Sequence, residues 1–216
     1  MFIAGVDEAG RGPVIGPMTI CCLVVHEDKE KELKELGVKD SKMLTPERRK
    51  ELRRDIKKIA HTYHIEKVQP KHIDSYRDDA SLNEMEAEVI GKLIRKLGPQ
   101  KVYVDSPDRP PARFANRIRK YLRDPVIIHS HNKAERFPVV AAASILAKVE
   151  RDRQIEKIKK KYGEVGSGYP SDEITIKYLQ EWIRNNKEYP DIVRKSWYTA
   201  WRLNEEKVQR KVDDWF

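Results

Sequence analysis

Phe2-Ile3-Ala4-Gly5-Val6-Asp7-Glu8-Ala9-Gly10-Arg11-Gly12-Pro13 opens the chain with an apolar run, sets two acids side by side at its end, and closes on a turn. The run reads as a buried strand, and a buried carboxylate is costly unless it is paired or coordinates a cation. No basic residue lies between Met1 and Gly10 to act as a local partner. Two readings follow: one acid faces solvent while the other caps the turn, or both hold a metal ion. Side chains alternate between the faces of a strand. Both acids therefore serve one site only if the strand ends at Glu8 and the turn lets that longer side chain reach round.

Working outward, Thr19 to Val25 is a second β-rich run, joined to the first by the turn residues Gly10, Gly12, Pro13, Gly16 and Pro17. Thr45-Pro46 is a helix-start signal, after which Leu52, Ile56 and Ile59 share a face. His61 to Val68 supplies a third strand. Ser81 with Glu84 forms a capping box for a helix ending near Gly98, and Lys101 to Asp105 is a short buried strand ending on an acid. Pro111 to Leu122 reads as a helix and Val126 to His129 as a fifth strand. From Pro138 an Ala-rich helix runs from Val139 to about Lys161, apolar in its first half and charged in its second. Gly163 to Pro170 breaks the pattern, Ser171 caps a helix through Ile183, and more helix follows from Ser196. The expected class is α/β with a helical C-terminal part.

The 216 residues carry 44 Lys+Arg against 35 Asp+Glu, a net charge of +9, which points to a polyanionic partner such as nucleic acid. The charged fraction of 37% fits the surface ion-pair networks of a heat-adapted protein. Cys21 and Cys22 are adjacent within an apolar run, so no disulfide joins them and a reducing, cytoplasmic setting is expected. No signal peptide is apparent, and no apolar run approaches the roughly 20 residues that span a bilayer.

Asp105 ends a strand, and strand-end acids of a sheet with parallel neighbours meet at one edge. Asp105 can therefore join Asp7, and Glu135, just ahead of the long helix, can join both. Several carboxylates at one edge repel unless cations lie between them, and hard oxygen ligands suit Mg²⁺ or Mn²⁺. Lys39, Ser41 and Lys42 form a polar loop suited to phosphate contact, ahead of a helix with seven basic and three acidic residues from Thr45 to Lys58.

The blocks Ala4 to Pro13, Lys39-Asp40-Ser41-Lys42, Val104-Asp105, Phe137 to Lys148 and Gly166 to Asp172 together resemble the ribonuclease HII family, particularly its archaeal members, across essentially the whole chain. The resemblance implies a ribonuclease H-like five-stranded mixed sheet flanked by helices. It divides the chain into a catalytic core (1–165), a helical part completing the substrate cleft (166–208) and a tail (209–216). It implies two-metal hydrolysis of RNA in RNA/DNA hybrids and cleavage on the 5′ side of single ribonucleotides embedded in duplex DNA. Asp7, Glu8 and Asp105 match three of the family's four acids. The fourth departs from the pattern: Lys133-Ala134-Glu135 stands where the family usually has Lys-Ala-Asp, and the added methylene favours the less demanding Mn²⁺ over Mg²⁺. Gly10, Arg11 and Gly12 are implied to read the ribose 2′-hydroxyl, the group that distinguishes RNA from DNA. Tyr169 is implied to stack on the following sugar. Lys39, Ser41 and Lys42, with Asn83 and Ser144, complete the implied substrate contacts. The ribonuclease HIII type fits less well, since no further domain precedes the first motif.

Gln209, Val212, Trp215 and Phe216 have the spacing of a sliding-clamp-binding peptide, which inserts one aliphatic and two aromatic side chains into a clamp groove. Folding back onto the domain is the other reading of this tail. A monomeric endoribonuclease is the leading expectation. A catalytically weak, clamp-tethered nucleic-acid-binding module, with Glu135 marking a degraded site, is the alternative.

Overall fold

The computed structural model describes residues 1–38, 44–79 and 81–213, and of residues 77–79 and 207–213 the backbone alone. Five strands, β1 (Phe2–Ala9), β2 (Met18–His26), β3 (Thr62–Val68), β4 (Lys101–Asp105) and β5 (Ile127–His131), form one sheet in the order β3-β2-β1-β4-β5. β1 runs antiparallel to β2 and parallel to β4, and β4 runs parallel to β5. The sheet is therefore mixed, as expected. Helices α1 (Glu30–Glu35), α2 (Pro46–Ile59), α3 (Pro70–Asp79), α4 (Leu82–Leu97), α5 (Pro111–Arg119), α6 (Pro138–Tyr162), α7 (Glu173–Asn185) and α8 (Tyr198–Asp213), with two single 3₁₀ turns at Glu27–Lys29 and Ala134–Arg136, complete the described elements.

The chain divides into two compact units, neither of them contiguous. The first comprises Met1–Ala9, Thr19–Lys67 and Ala80–Arg151, and holds the whole sheet but for the ends of β2 and β3. Its central strands are buried on both faces: β2 is covered from Met18 to Val25, and β1 from Ile3 to Asp7. Such continuous burial explains why these runs are nearly all apolar rather than alternating. On one face Ile3, Leu23 and Val25 pack with Leu52, Ile56, Val139, Ala142, Ala143 and Leu146. Burying each of the Leu, Ile and Val side chains contributes about 1.5–3 kcal/mol.

The first turn of α6 lies directly on β1. A Cβ added to Gly5 would fall 2.2 Å from the Val139 carbonyl oxygen and 2.6 Å from the Val140 nitrogen. Only glycine admits this approach. Further along, Thr19 Oγ1 donates to the Ala147 carbonyl at 3.0 Å, pinning the third turn of the helix to β2.

The second unit comprises Gly10–Met18, Val68–Asp79 and Asp152–Phe216. Here Ser196 corrects the sequence reading, for α8 begins at Tyr198, and the cap of α7 is Asp172 rather than Ser171. Asp172 accepts the Ile174 N–H at 2.9 Å, and its carboxyl is held at about 2, chiefly by hydrogen bonds from Ser167. β5 also runs two residues further than expected, α5 ends three earlier, and α1 and α3 had not been anticipated. Among the described side chains of α3 only Pro70 and Ile73 are buried, which leaves too little apolar periodicity to read, while Asp74 anchors the helix by accepting from the backbone of Lys195 and Ser196.

Candidate active site

β1 does not end at Glu8. Its ladder with β2 continues through Asp7–Cys21, Glu8–Ile20 and Ala9–Thr19, while its ladder with β4 stops at Val6–Val104. The expected strand end is thus half right: the strand goes on along β2 and loses its neighbour on the other side just where the acids begin. Gly5 pairs with Tyr103, so Asp7 and Asp105 lie on the sheet face that Gly5 presents to α6.

Asp7 is 6% exposed. Its Oδ1 accepts the Glu8 N–H at 2.8 Å, and Ser144 of α6 is hydrogen-bonded to the same carboxylate. Burial first, then the charge of Glu8, and more weakly that of Asp105, push the Asp7 carboxyl well above the usual carboxylate range against those hydrogen bonds. The structure therefore brings Asp7, Glu8 and Asp105 within electrostatic reach. Asp105 Oδ1 accepts the Ala134 N–H at 2.7 Å, tying the end of β4 to the short turn Ala134–Arg136. That turn is entered through Lys133 in the left-handed region (φ 61°) and presents Glu135.

Glu135 faces α6. Its Oε1 lies 3.4 Å from Ser144 Oγ and 3.6 Å from Lys148 Nζ, and Lys148 also donates to Ser144 Oγ at 3.1 Å. Lys148 ends the Phe137 to Lys148 block, and nothing in its spacing singles it out. Among the described residues no three His, Cys, Asp or Glu side chains stand close enough to enclose one cation. The donor set nonetheless fits Mg²⁺ or Mn²⁺: it is carboxylate oxygen throughout, and the buried Asp7 is crowded by like charge that a cation would relieve.

Asn83 is not shown with the acids. Its Nδ2 donates to Asp108 Oδ1 at 2.5 Å, and Arg117 Nε holds the other carboxylate oxygen at 2.9 Å, fixing the loop that follows Asp105. Lys39, Ser41 and Lys42 lie outside the described residues.

The Gly10-Arg11-Gly12 turn belongs to the second unit and is built around a residue the sequence did not point to. Arg194 is wholly buried and donates to the carbonyls of Gly10 (2.6 Å), Arg11 (2.9 Å) and Gly16 (3.1 Å). Trp197, whose ring lies 4.8 Å from the Arg194 guanidinium, donates to the Gly12 carbonyl at 3.1 Å. All three carbonyls of the turn are consequently engaged within the protein. A Cβ on Gly12 would lie 3.7 Å from the Tyr169 ring, which is 44% exposed. Tyr169 is set by a knot in which Thr175 Oγ1 accepts from Gly168 N–H and donates to the Val165 carbonyl, while Gly168 O accepts from Val14 N–H at 2.8 Å. The unit thus brings Gly10, Arg11, Gly12 and Tyr169 together.

Residues 4–200 match the family model described as ribonuclease HII. The chain belongs to the ribonuclease HII family. It is 47% identical over 213 residues to the ribonuclease HII of Pyrococcus abyssi (strain GE5 / Orsay), covering 97% of this chain and 94% of that one. It superposes on the crystal structure of ribonuclease H2 from Pyrococcus horikoshii OT3 with a TM-score of 0.91 at 45% identity, covering 97% and 100% of the two chains. A structure of the PCNA:RNase HII complex from Archaeoglobus fulgidus matches with a TM-score of 0.84 at 41% identity, covering 91% and 95%. The fold is accordingly ribonuclease H-like and the protein is a ribonuclease H. No described helix is long and apolar enough to cross a membrane.

Proposed function

We propose that this ribonuclease HII hydrolyses the RNA strand of RNA/DNA hybrids and cuts 5′ of single ribonucleotides in duplex DNA, with Asp7, Glu8, Asp105 and Glu135 holding two divalent cations. The observation that carries the reading is the buried Asp7 carboxylate, crowded by Glu8 and Asp105 on the face covered by α6. Two cations supply an activated water and stabilise the leaving alkoxide. The protein's own part is to hold four carboxylates on rigid supports: β1 beyond the point where its ladder with β4 stops, the end of β4, the Ala134–Arg136 turn, and α6 through Ser144. Gly10 to Gly12, whose carbonyls are occupied by Arg194 and Trp197, meets the substrate through its N–H groups. Those donors suit a ribose hydroxyl or a phosphate oxygen. Tyr169 beside Gly12 offers an exposed ring to the adjacent sugar. Asn83, and Lys39, Ser41 and Lys42 in the polar loop, complete the proposed nucleic-acid contacts.

The test is incubation of duplex DNA carrying one ribonucleotide with the protein in Mg²⁺ or Mn²⁺. A nick leaving a 3′-hydroxyl upstream and a 5′-phosphate on the ribonucleotide is expected, with all-DNA duplex intact. Tight binding without cleavage in either ion would favour the clamp-tethered module instead, a reading to which the engagement of Glu135 by Lys148 lends support.

Clamp association through the tail is part of the same reading. The backbone of Gln209 and Val212 falls within α8, while Trp215 and Phe216 lie outside the described residues. Deleting Lys211 to Phe216 is expected to abolish binding to the sliding clamp and leave cleavage of a short duplex nearly unchanged.

A further inference from the structure

Lys148 is four residues beyond Ser144 on α6, so both side chains lie on one helix face. The Lys148 side chain is only 20% exposed, although an ammonium group is among the groups most readily left in water. It reaches inward to Ser144 Oγ at 3.1 Å and Glu135 Oε1 at 3.6 Å. Ser144 is completely buried and has one hydroxyl proton. With the Lys148 ammonium donating to the oxygen, that proton is directed to a carboxylate, and the two in contact are Asp7 and Glu135. A continuous chain therefore runs from Lys148 through Ser144 to acids contributed by β1 and by the Ala134–Arg136 turn. The pinning of Ala147 by Thr19 fixes the base of the lysine stem beside it.

We propose that Lys148 is an internal counter-cation of the acidic site, a positioning residue that holds Glu135 and Ser144 and is exchanged for a divalent cation when one binds. This rests on the reading of Asp7, Glu8, Asp105 and Glu135 as cation ligands. A flexible four-carbon stem suits the task, because the ammonium withdraws without moving the helix backbone. Lys148 thereby keeps like charges together in the metal-free protein and competes with the metal for Glu135. Metal affinity then reflects the difference between two cations at one carboxylate rather than the attraction of the carboxylates alone.

The test uses the full chain, without nucleic acid, and Mn²⁺ alone. Calorimetric titration and thermal melting with and without Mn²⁺ are measured for the native protein, Lys148→Gln, Lys148→Met and Lys148→Arg. Removing the charge is expected to tighten Mn²⁺ binding at least about fivefold, the lower end of ordinary coupling between sites. The metal-free Tm should fall more than the Mn²⁺-loaded Tm. Lys148→Arg should restore native Mn²⁺ affinity. Lys148→Gln keeps a donor for Ser144 and guards against a packing defect in Lys148→Met. Unchanged or weaker Mn²⁺ binding in Lys148→Gln would overturn the counter-cation role. A native protein that takes up no Mn²⁺ at all would instead overturn the reading of the acids as ligands.

Discussion

Gly5→Ala replaces a hydrogen by a methyl group in the middle of β1, and the consequence is set by what lies above it. The new carbon would stand 2.2 Å from the Val139 oxygen, 2.3 Å from its carbonyl carbon and 2.6 Å from the Val140 nitrogen, all of them backbone atoms. Carbon contacts normally sit near 3.5–4.0 Å, so the first turn of α6 must move by more than about 1 Å. Side-chain repacking offers no relief. Overpacking of this kind costs roughly 1–3 kcal/mol or more, and at about 2–4 °C per kcal/mol in a chain of this size the melting temperature should fall by roughly 2–12 °C. The same displacement carries Ser144 and Lys148 away from Asp7, which remains on the strand. Misplacing a catalytic constellation by about 1 Å costs on the order of a hundredfold in rate. Circular-dichroism melting and cleavage of a single-ribonucleotide duplex measure both effects in one preparation. A variant that melts within a degree of native and cuts at the native rate would refute the close packing of α6 on β1.

Arg194→Lys replaces a fork that reaches three carbonyls by a single nitrogen and should leave at least one of them without a donor, costing about 1–3 kcal/mol each; urea unfolding measures the loss, and ribonucleotide cleavage should fall with it. Asp7→Asn should raise the Tm of the metal-free protein at neutral pH. Because the native Asp7 carboxyl is held above its ordinary range, the folded state keeps a proton that the unfolded state loses. Stability in EDTA should therefore decline as pH rises from about 4 towards the raised value, and Asp7→Asn should flatten that slope in melts across pH. Glu135→Asp should raise the Mg²⁺-supported rate relative to the Mn²⁺-supported rate, by up to about a hundredfold if about 1 Å of misplacement is corrected; an unchanged ratio would remove the longer side chain as a determinant of metal choice.

The strands and most helices were legible because their signals are local: the apolar runs of β1 and β2, the Ser81 cap whose hydroxyl accepts the Glu84 N–H, and Gly98 at the end of α4. Asp7 and Asp105 were legible as strand-end acids. The ring of supports was not. Arg194 meets Gly10 across 184 positions and Lys148 meets Glu135 across a turn and a helix, so neither leaves a pattern in its own neighbourhood. An arginine flanked by Val193 and Lys195 looks like any basic surface residue until the carbonyls it serves are known. Ser171 and Asp172 are both acceptable caps in the abstract. The knot of Ser167, Gly168 and Thr175 decides for Asp172, because its second carboxylate oxygen is needed by Ser167 N–H at 2.6 Å.

The Gly10 turn is synthesised 184 positions before the guanidinium that satisfies its carbonyls. Until Arg194 is made those carbonyls must remain hydrated, and β1 and β2 must either wait for their connection to be completed or pair around an unfinished bend. Non-local contacts of this kind slow folding because a long loop must close before they form. A nascent chain stalled before Arg194 is therefore expected to lack the finished Gly10 to Gly12 turn even where Asp7, Glu8, Asp105 and Glu135 are already in place.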